Sequence, residues 1–173
     1  MLTFEKAKEL FVYDRETGII KWKRRTSNNQ RKNLVAGSTR SNDGYIQIGI
    51  NGEIHLAHRI AVLLTYGFCD DRLQVDHINH IRDDNRLVNL RLVTRTDNLR
   101  NQPRRRNNTT GIMGVVYHKA KRKYMARIRV DGVNIYLGIF DTLGEAAKAR
   151  KDADIRYKYN ANHGATKIKD YAK

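Results

Sequence analysis

The chain has one cysteine, Cys69, and one proline, Pro103, in 173 residues. A lone thiol excludes an internal disulfide framework and any multi-cysteine zinc site. Acidic side chains are scarce beside basic ones, 18 Asp and Glu against 34 Lys and Arg, so the formal charge is +16 and the isoelectric point about 10.2. A polyanionic partner is expected, nucleic acid before an anionic membrane surface. Long apolar runs are missing too. Nothing approaches the roughly 20 consecutive apolar residues of a membrane-spanning helix, and residues 1–11 are too polar for a signal peptide. A cytoplasmic protein with no membrane partner is therefore expected. No glycine-rich phosphate loop, internal repeat or heptad pattern occurs. A mass of 20.1 kDa allows one ordinary domain or two or three small modules, but no large α/β enzyme. With 40% hydrophobic residues the chain has enough apolar material to fold.

The charge is unevenly spread. Residues 103–173 carry 17 Lys and Arg against 6 Asp and Glu, whereas residues 1–102 carry 17 against 12. Between the two parts lies a polar run over 103–110 that holds the only proline and reads as a basic linker, with Arg104, Arg105 and Arg106 expected to track phosphate. The expected organisation is a first domain over 1–102, the linker, and a second domain over 111–173.

Apolar spacing after Thr3 predicts a short helix over 3–11, followed by a turn at 13–18 and a strand through Ile19, Ile20 and Trp22. Residues 24–32 read as a basic loop. The runs 44–50 and 53–56 flank Asn51-Gly52, a dipeptide suited to the two positive φ angles of a type I′ hairpin turn. A buried helix over 58–66 ends at Gly67. Residues 73–77 and 89–94 read as two strands joined by a polar loop, and Thr94-Arg95-Thr96-Asp97 opens a helix whose first turn or so contains Asn98.

This strand, loop, strand, helix order carries Asp76-His77, Asn85, Asn89 and Asn98. If the strands pair antiparallel and the helix returns across them, Asp76, His77 and Asn98 converge. A carboxylate and an amide oxygen are hard donors suited to Mg²⁺, and an imidazole beside them can take a proton at neutral pH. The series resembles the HNH endonucleases, a ββα-metal family, over about residues 44–102, including His58-Arg59-Ile60, which is similar to a His-Arg-hydrophobic helix preceding the motif in phage members. The resemblance implies His77 as general base, Asp76 and Asn98 as metal ligands, Asn89 fixing the loop and the orientation of His77, and Asn85 helping to hold that loop. Asn98 stands where the family name expects His, a departure that some phage members share and that favours Mg²⁺ or Mn²⁺ over zinc. His77 and His80 do not supply a structural zinc site, since a second ligand pair is missing.

Residues 112–117, 124–130 and 133–140 predict a three-stranded antiparallel sheet, with Asp131-Gly132 as a second hairpin signal. Alternation puts Tyr124, Ala126, Ile128 and Val130 on one face and Met125, Arg127 and Arg129 on the other, and likewise divides Ile135 and Leu137 from Asn134 and Tyr136. Thr142-Leu143-Gly144-Glu145 is a capping box opening a helix to about residue 159, whose alanines can lie against the apolar face. The segment resembles the AP2 DNA-binding domain over roughly 108–168, through Gly111-Ile112-Met113-Gly114-Val115, Tyr136-Leu137-Gly138-Ile139-Phe140 and Glu145-Ala146-Ala147. The resemblance implies a sheet in the DNA major groove, with His118, Arg127, Arg129, Asn134 and Tyr136 facing the duplex and Lys119, Lys121, Arg122 and Lys123 on phosphates. Val116 stands where many plant members have a contacting Arg, and Arg150 stands near an expected helix aromatic.

The combined expectation is an α+β protein, a ββα-metal HNH nuclease module followed by an AP2-like sheet packed on one helix. It resembles phage-encoded homing-type endonucleases, which implies double-stranded DNA as partner, Mg²⁺ as the only cofactor, and 5′-phosphate and 3′-hydroxyl products. With no dimerisation signal, a monomer that nicks one strand is expected. The alternatives are a non-catalytic, sequence-specific DNA-binding regulator retaining an HNH scaffold, and an RNA-directed nuclease, which lacks support because no exposed aromatic pair marks a base-stacking platform.

Overall fold

In the computed structural model, Thr3 Oγ1 accepts from the Lys6 amide at 3.2 Å and caps α1, Phe4–Leu10. The structure describes residues 2–24, 34–104 and 107–165. The expected basic loop over 24–32 falls outside these, Arg24 excepted. Strands β1, Phe11–Tyr13, and β2, Ile20–Trp22, form a hairpin whose Phe11 and Trp22 rings lie 4.5 Å apart. A two-residue strand β3, Ser38–Thr39, joins β4, Ile46–Ile50, and β5, Glu53–Leu56, in a second sheet, with Asn51 at φ 50° and Gly52 at φ 84° in the hairpin turn. Helix α2, Ala57–Tyr66, is closed by Gly67 in the left-handed conformation. Strands β6, Gln74–His77, and β7, Leu90–Val93, pair antiparallel across the loop between them. The core of this unit is assembled from Phe11, Ile20, Ile48, Ile50, Ile60, Val62, Val75 and Leu90, so β1, β2, β4, α2, β6 and β7 each supply a buried apolar side chain to it.

The chain divides into two compact units, the first reaching Thr94 and the second beginning at Arg95 with α3, Arg95–Leu99. In the second, β8, Val115–His118, β9, Lys123–Val130, and β10, Val133–Phe140, form an antiparallel sheet with β9 in the middle. Helix α4, Leu143–Arg156, carries the full capping box between Thr142 and Glu145 and packs Ala146 against Val115 and Ala126. Two details differ from the sequence reading. The helix stops at Arg156 rather than near 159, because the chain turns at Lys158 with φ 54°. The simple alternation along β10 breaks between Tyr136 and Gly138, where a bulge at Leu137 shifts the register so that Gly138 pairs with Ala126. The architecture is mixed α+β with small antiparallel sheets. Among the described residues no helix is long and apolar enough to cross a membrane.

Candidate active site and nucleic-acid interface

His77 ends β6 and is only 4% exposed. Its Nε2 lies 3.0 Å from Asn85 Oδ1, so the neutral ring carries its proton on Nε2 as donor and its basic lone pair on Nδ1. Burial pushes the His77 imidazole below its ordinary pKa, with the Asn85 bond and the Asp76 charge opposing that shift. The ring is therefore neutral at pH 7, the state a general base requires. The His58 ring meets it edge-on at 5.1 Å and 87°, and Tyr45 lies 5.7 Å from His77 and 5.0 Å from His58. Burial holds the His58 imidazole down at about 3. Nδ1 of His58 and Nδ2 of Asn85 are buried without a hydrogen-bond partner among the described residues.

The loop that leaves His77 is shaped by amides. Asn89 is fully buried, its Oδ1 accepting from the Asn79 backbone N–H at 2.9 Å and its Nδ2 donating to the Asp84 carbonyl at 2.8 Å. Asn79, equally buried, donates to Asp84 Oδ2 and accepts from the Ile81 amide. Asp84 also takes both Nε and Nη2 of Arg86, whose hydrogen bonds are the largest reason its carboxyl lies below the usual range. The β1–β2 hairpin supports the far end of this loop: Tyr13 Oη donates to the Asn85 carbonyl at 2.7 Å, and the Leu87 amide donates to Arg15. Gly18 closes that hairpin at φ 75°, and a Cβ there would sit 2.5 Å from the Asn85 carbonyl carbon and the Arg86 nitrogen.

Asp76 stands opposite Arg91 in the β6–β7 register, and Arg91 grips its Oδ2 through Nε at 2.9 Å and Nη2 at 2.8 Å. Arg59, the residue after His58, reaches the other end of β6, donating to the Leu73 carbonyl and to Asp71. Asn98 lies in α3, in the second unit. The structure thus brings His77, Asn85 and Asn89 into one local network, with Asp76 beside it on β6. Among the described residues, no three His, Cys, Asp or Glu side chains cluster as a metal site. Asp76 carries a carboxylate and Asn98 an amide oxygen, hard donors of the kind Mg²⁺ or Mn²⁺ takes, and the two residues stand in different units.

Residues 55–100 match the family model described as HNH endonuclease. The matched segment starts on β5 and ends just past α3, so it contains His58, Asp76, His77, Asn85, Asn89 and Asn98, but neither Tyr13 nor Tyr45. A solved structure described as "DNA binding and cleavage by the HNH homing endonuclease I-HmuI" is similar at a TM-score of 0.44 and 20% identity, over 89% of this chain and 87% of that one. No curated protein matches the chain.

In the second unit, register places Arg129 opposite Asn134 and Arg127 opposite Tyr136, and all four are exposed on one face of the sheet. His118 pairs with Lys123 on that same face, and its Nδ1 accepts from the Lys121 amide at the start of a single 3₁₀ turn, Lys119–Lys121. Lys119, Lys121 and Arg122 are exposed, whereas Lys123 is paired with Asp141 at 2.8 Å. Arg104 binds the Gly111 carbonyl, and Arg105 and Arg106 lie outside the described residues.

Sequence reading missed Arg91, although two antiparallel strands centred on Asp76 and Arg91 already set them opposite each other. It also missed Asn79, Tyr45 and Tyr13 as parts of the site, for which no local signal exists. Arg150, noted only as a departure, is 4% exposed and fills the position with a guanidinium bound to Asp154 and to the Arg127 carbonyl.

Proposed function

We propose that the protein is a metal-dependent DNA endonuclease of the homing type. The observation that carries this reading is a buried, neutral His77 held by Asn85 inside the segment that matches the HNH endonuclease family. His77 takes the proton of a water; the water oxygen bonds to phosphorus as the bond to the 3′ oxygen breaks, and the 3′ oxygen leaves with a proton from solvent. The products are a 5′-phosphate and a 3′-hydroxyl. Asp76 and Asn98 would hold the ion, and Mg²⁺, or Mn²⁺ in its place, supplies charge stabilisation to the phosphate and the leaving oxygen when bound. Arg91 orients Asp76, and Asn89 keeps the loop in the shape that lets Asn85 reach His77.

Recognition is assigned to residues 111–173, an AP2-like module whose cationic face, with Arg127, Arg129, Asn134 and Tyr136, lies in the major groove of double-stranded DNA. Catalysis is assigned to residues 1–102. A single set of reacting groups on a monomer cuts one strand, so the enzyme nicks.

The test is cleavage of supercoiled plasmid with and without Mg²⁺, comparing wild type with His77→Ala. Cleavage that requires the metal and is lost in the variant, with DNA affinity kept within a few-fold, supports the reading. The competing reading, a non-catalytic regulator on an HNH scaffold, is favoured by one observation: Arg91 already occupies an oxygen of Asp76. Metal-independent DNA binding with no cleavage of any plasmid would favour it.

A further inference from the structure

Arg82 stands on the loop that leaves His77, exposed, with its guanidinium 4.9 Å from the centroid of the Tyr45 ring. Its one hydrogen bond among the described residues runs from Nη1 to the Asp43 carbonyl at 2.9 Å, and it forms no ion pair there. Arg40 lies 6.0 Å from the same ring but is neutralised by Asp43, which it contacts through Nε and Nη2. The turn beneath is closed: the Arg40 amide donates to the Tyr45 carbonyl, the Gly44 amide to the Arg40 carbonyl, and the Tyr45 amide to Asp43 Oδ1. Tyr45 is in turn wedged against His58 and His77. One guanidinium with no ion pair of its own among the described residues, the Asp43 carboxylate being engaged by Arg40 while still in electrostatic reach of Arg82, is therefore seated on a ring that packs against the candidate base.

A guanidinium oriented by one carbonyl and one aromatic face, with its other N–H groups toward solvent, matches the geometry of a phosphate oxygen pair. Tyr45 is 5.7 Å from His77 and Arg82 is 4.9 Å from Tyr45. Together those two steps reach at most about three nucleotides along a strand, at about 3.4 Å of axis each.

We propose that Arg82, seated on Tyr45, binds a backbone phosphate of the DNA strand adjoining the phosphodiester that faces His77. That this phosphate adjoins the cleaved bond rests on the endonuclease reading; the phosphate contact itself does not. Arg40 and Asp43 are positioning residues, which fix the ring and the carbonyl that aim Arg82.

The experiment compares full-length wild type, Arg82→Ala, Arg82→Lys and Lys8→Ala, the last a charge-matched control on the exposed face of α1. Anisotropy of a fluorescein-labelled 30-base-pair duplex is titrated in EDTA across a series of NaCl concentrations, with thermal melts to confirm folding. Arg82→Ala is expected to weaken binding about 5- to 10-fold and to lower the slope of log affinity against log salt by about one; Arg82→Lys keeps the slope, and Lys8→Ala changes neither. On plasmid with Mg²⁺, Arg82→Ala raises the half-saturating DNA concentration and leaves the maximal rate within about two-fold. An unchanged salt slope in Arg82→Ala, or a fall in maximal rate without a change in slope, overturns the proposal. Absence of cleavage by wild type counts against the endonuclease reading alone, because the binding measurement contains no divalent ion and no cleavage step.

Discussion

Arg150 of α4 donates through Nη1 to the backbone carbonyl of Arg127 at 2.9 Å, so a buried guanidinium on the helix sets the strand position from which an exposed guanidinium leaves the sheet. The neighbouring carbonyl in the same orientation, that of Arg129, accepts from the Tyr159 hydroxyl. Both carbonyls point to where β8 would have continued had the chain not turned at Gly114, whose own carbonyl accepts from the Arg127 amide.

Replacing Arg150 by Ala should therefore destabilise the second unit by about 3 kcal/mol, since it strands a buried carbonyl and leaves Asp154 without its partner. Lysine should restore little, having a point charge and no fork. Gly114→Ala should act in the same direction, because a Cβ at φ 75° would collide with the Arg150 guanidinium and the Arg127 carbonyl. Urea denaturation of the three variants checks this; a wild-type midpoint in Arg150→Ala would contradict it.

Asn89→Asp keeps the acceptor that binds the Asn79 amide but loses the donor to the Asp84 carbonyl. A loss of roughly 2 kcal/mol, with faster amide exchange confined to residues 78–89 and a cleavage rate lowered at least ten-fold, is expected. Protection unchanged in that loop would show that the amide is not its stitch.

Acid should weaken the first unit through His58. Its folded pKa, about 3, is below the ordinary value of 6.5, so the unfolded chain binds the extra proton first. The stability it contributes is complete above about pH 6.5 and is lost progressively as pH falls toward 3. Urea midpoints measured from pH 7 to 4 should fall less steeply in His58→Phe than in wild type; parallel curves would exclude His58 as the source.

Tyr13→Phe removes only the hydroxyl that supports Asn85, and should cost about 1 kcal/mol while slowing cleavage several-fold. Gly18→Ala should be the more damaging of the two, because it adds both strain and a clash with the backbone at Asn85. The check is single-turnover cleavage at saturating DNA, where an effect on binding alone would leave both variants at the wild-type rate.

On the sheet, Arg127→Ala or Arg129→Ala should cost about 1–3 kcal/mol on the preferred sequence if either reads a guanine, whereas Lys119→Ala and Lys121→Ala should weaken all sequences alike. Competition binding with a selected duplex against mixed-sequence DNA separates the two outcomes.

Much of this architecture was legible because its signals are local. Asn51-Gly52, the Thr3 cap, the Thr142 and Glu145 capping box and Gly67 each act within a few residues, and each stands at the element it implies. The likeness of residues 55–100 to a nuclease family was legible for the same reason, as residue types at fixed spacing. What escaped depends on distance along the chain: Tyr13 reaches Asn85 across 72 residues and Arg150 reaches Arg127 across 23. Strand β3 is two residues long, too short for any period to register. The bulge at Leu137 had a signal that went unread, since a glycine inside a strand, here Gly138, commonly marks one.

The bond from Tyr13 to Asn85 bears on how this chemistry can be moved between proteins. The stretch that matches the nuclease family begins at residue 55, yet the loop that orients its histidine leans on a hairpin laid down some forty residues earlier, and its hydrophobic interior borrows Phe11, Ile20 and Ile48 from the same upstream region. Cut out as a cassette and grafted elsewhere, residues 55–100 would carry every proposed reacting group and lack the buttress that aims them. Transplants should therefore begin at the first helix, and changes in the leading 24 residues should register as changes in turnover.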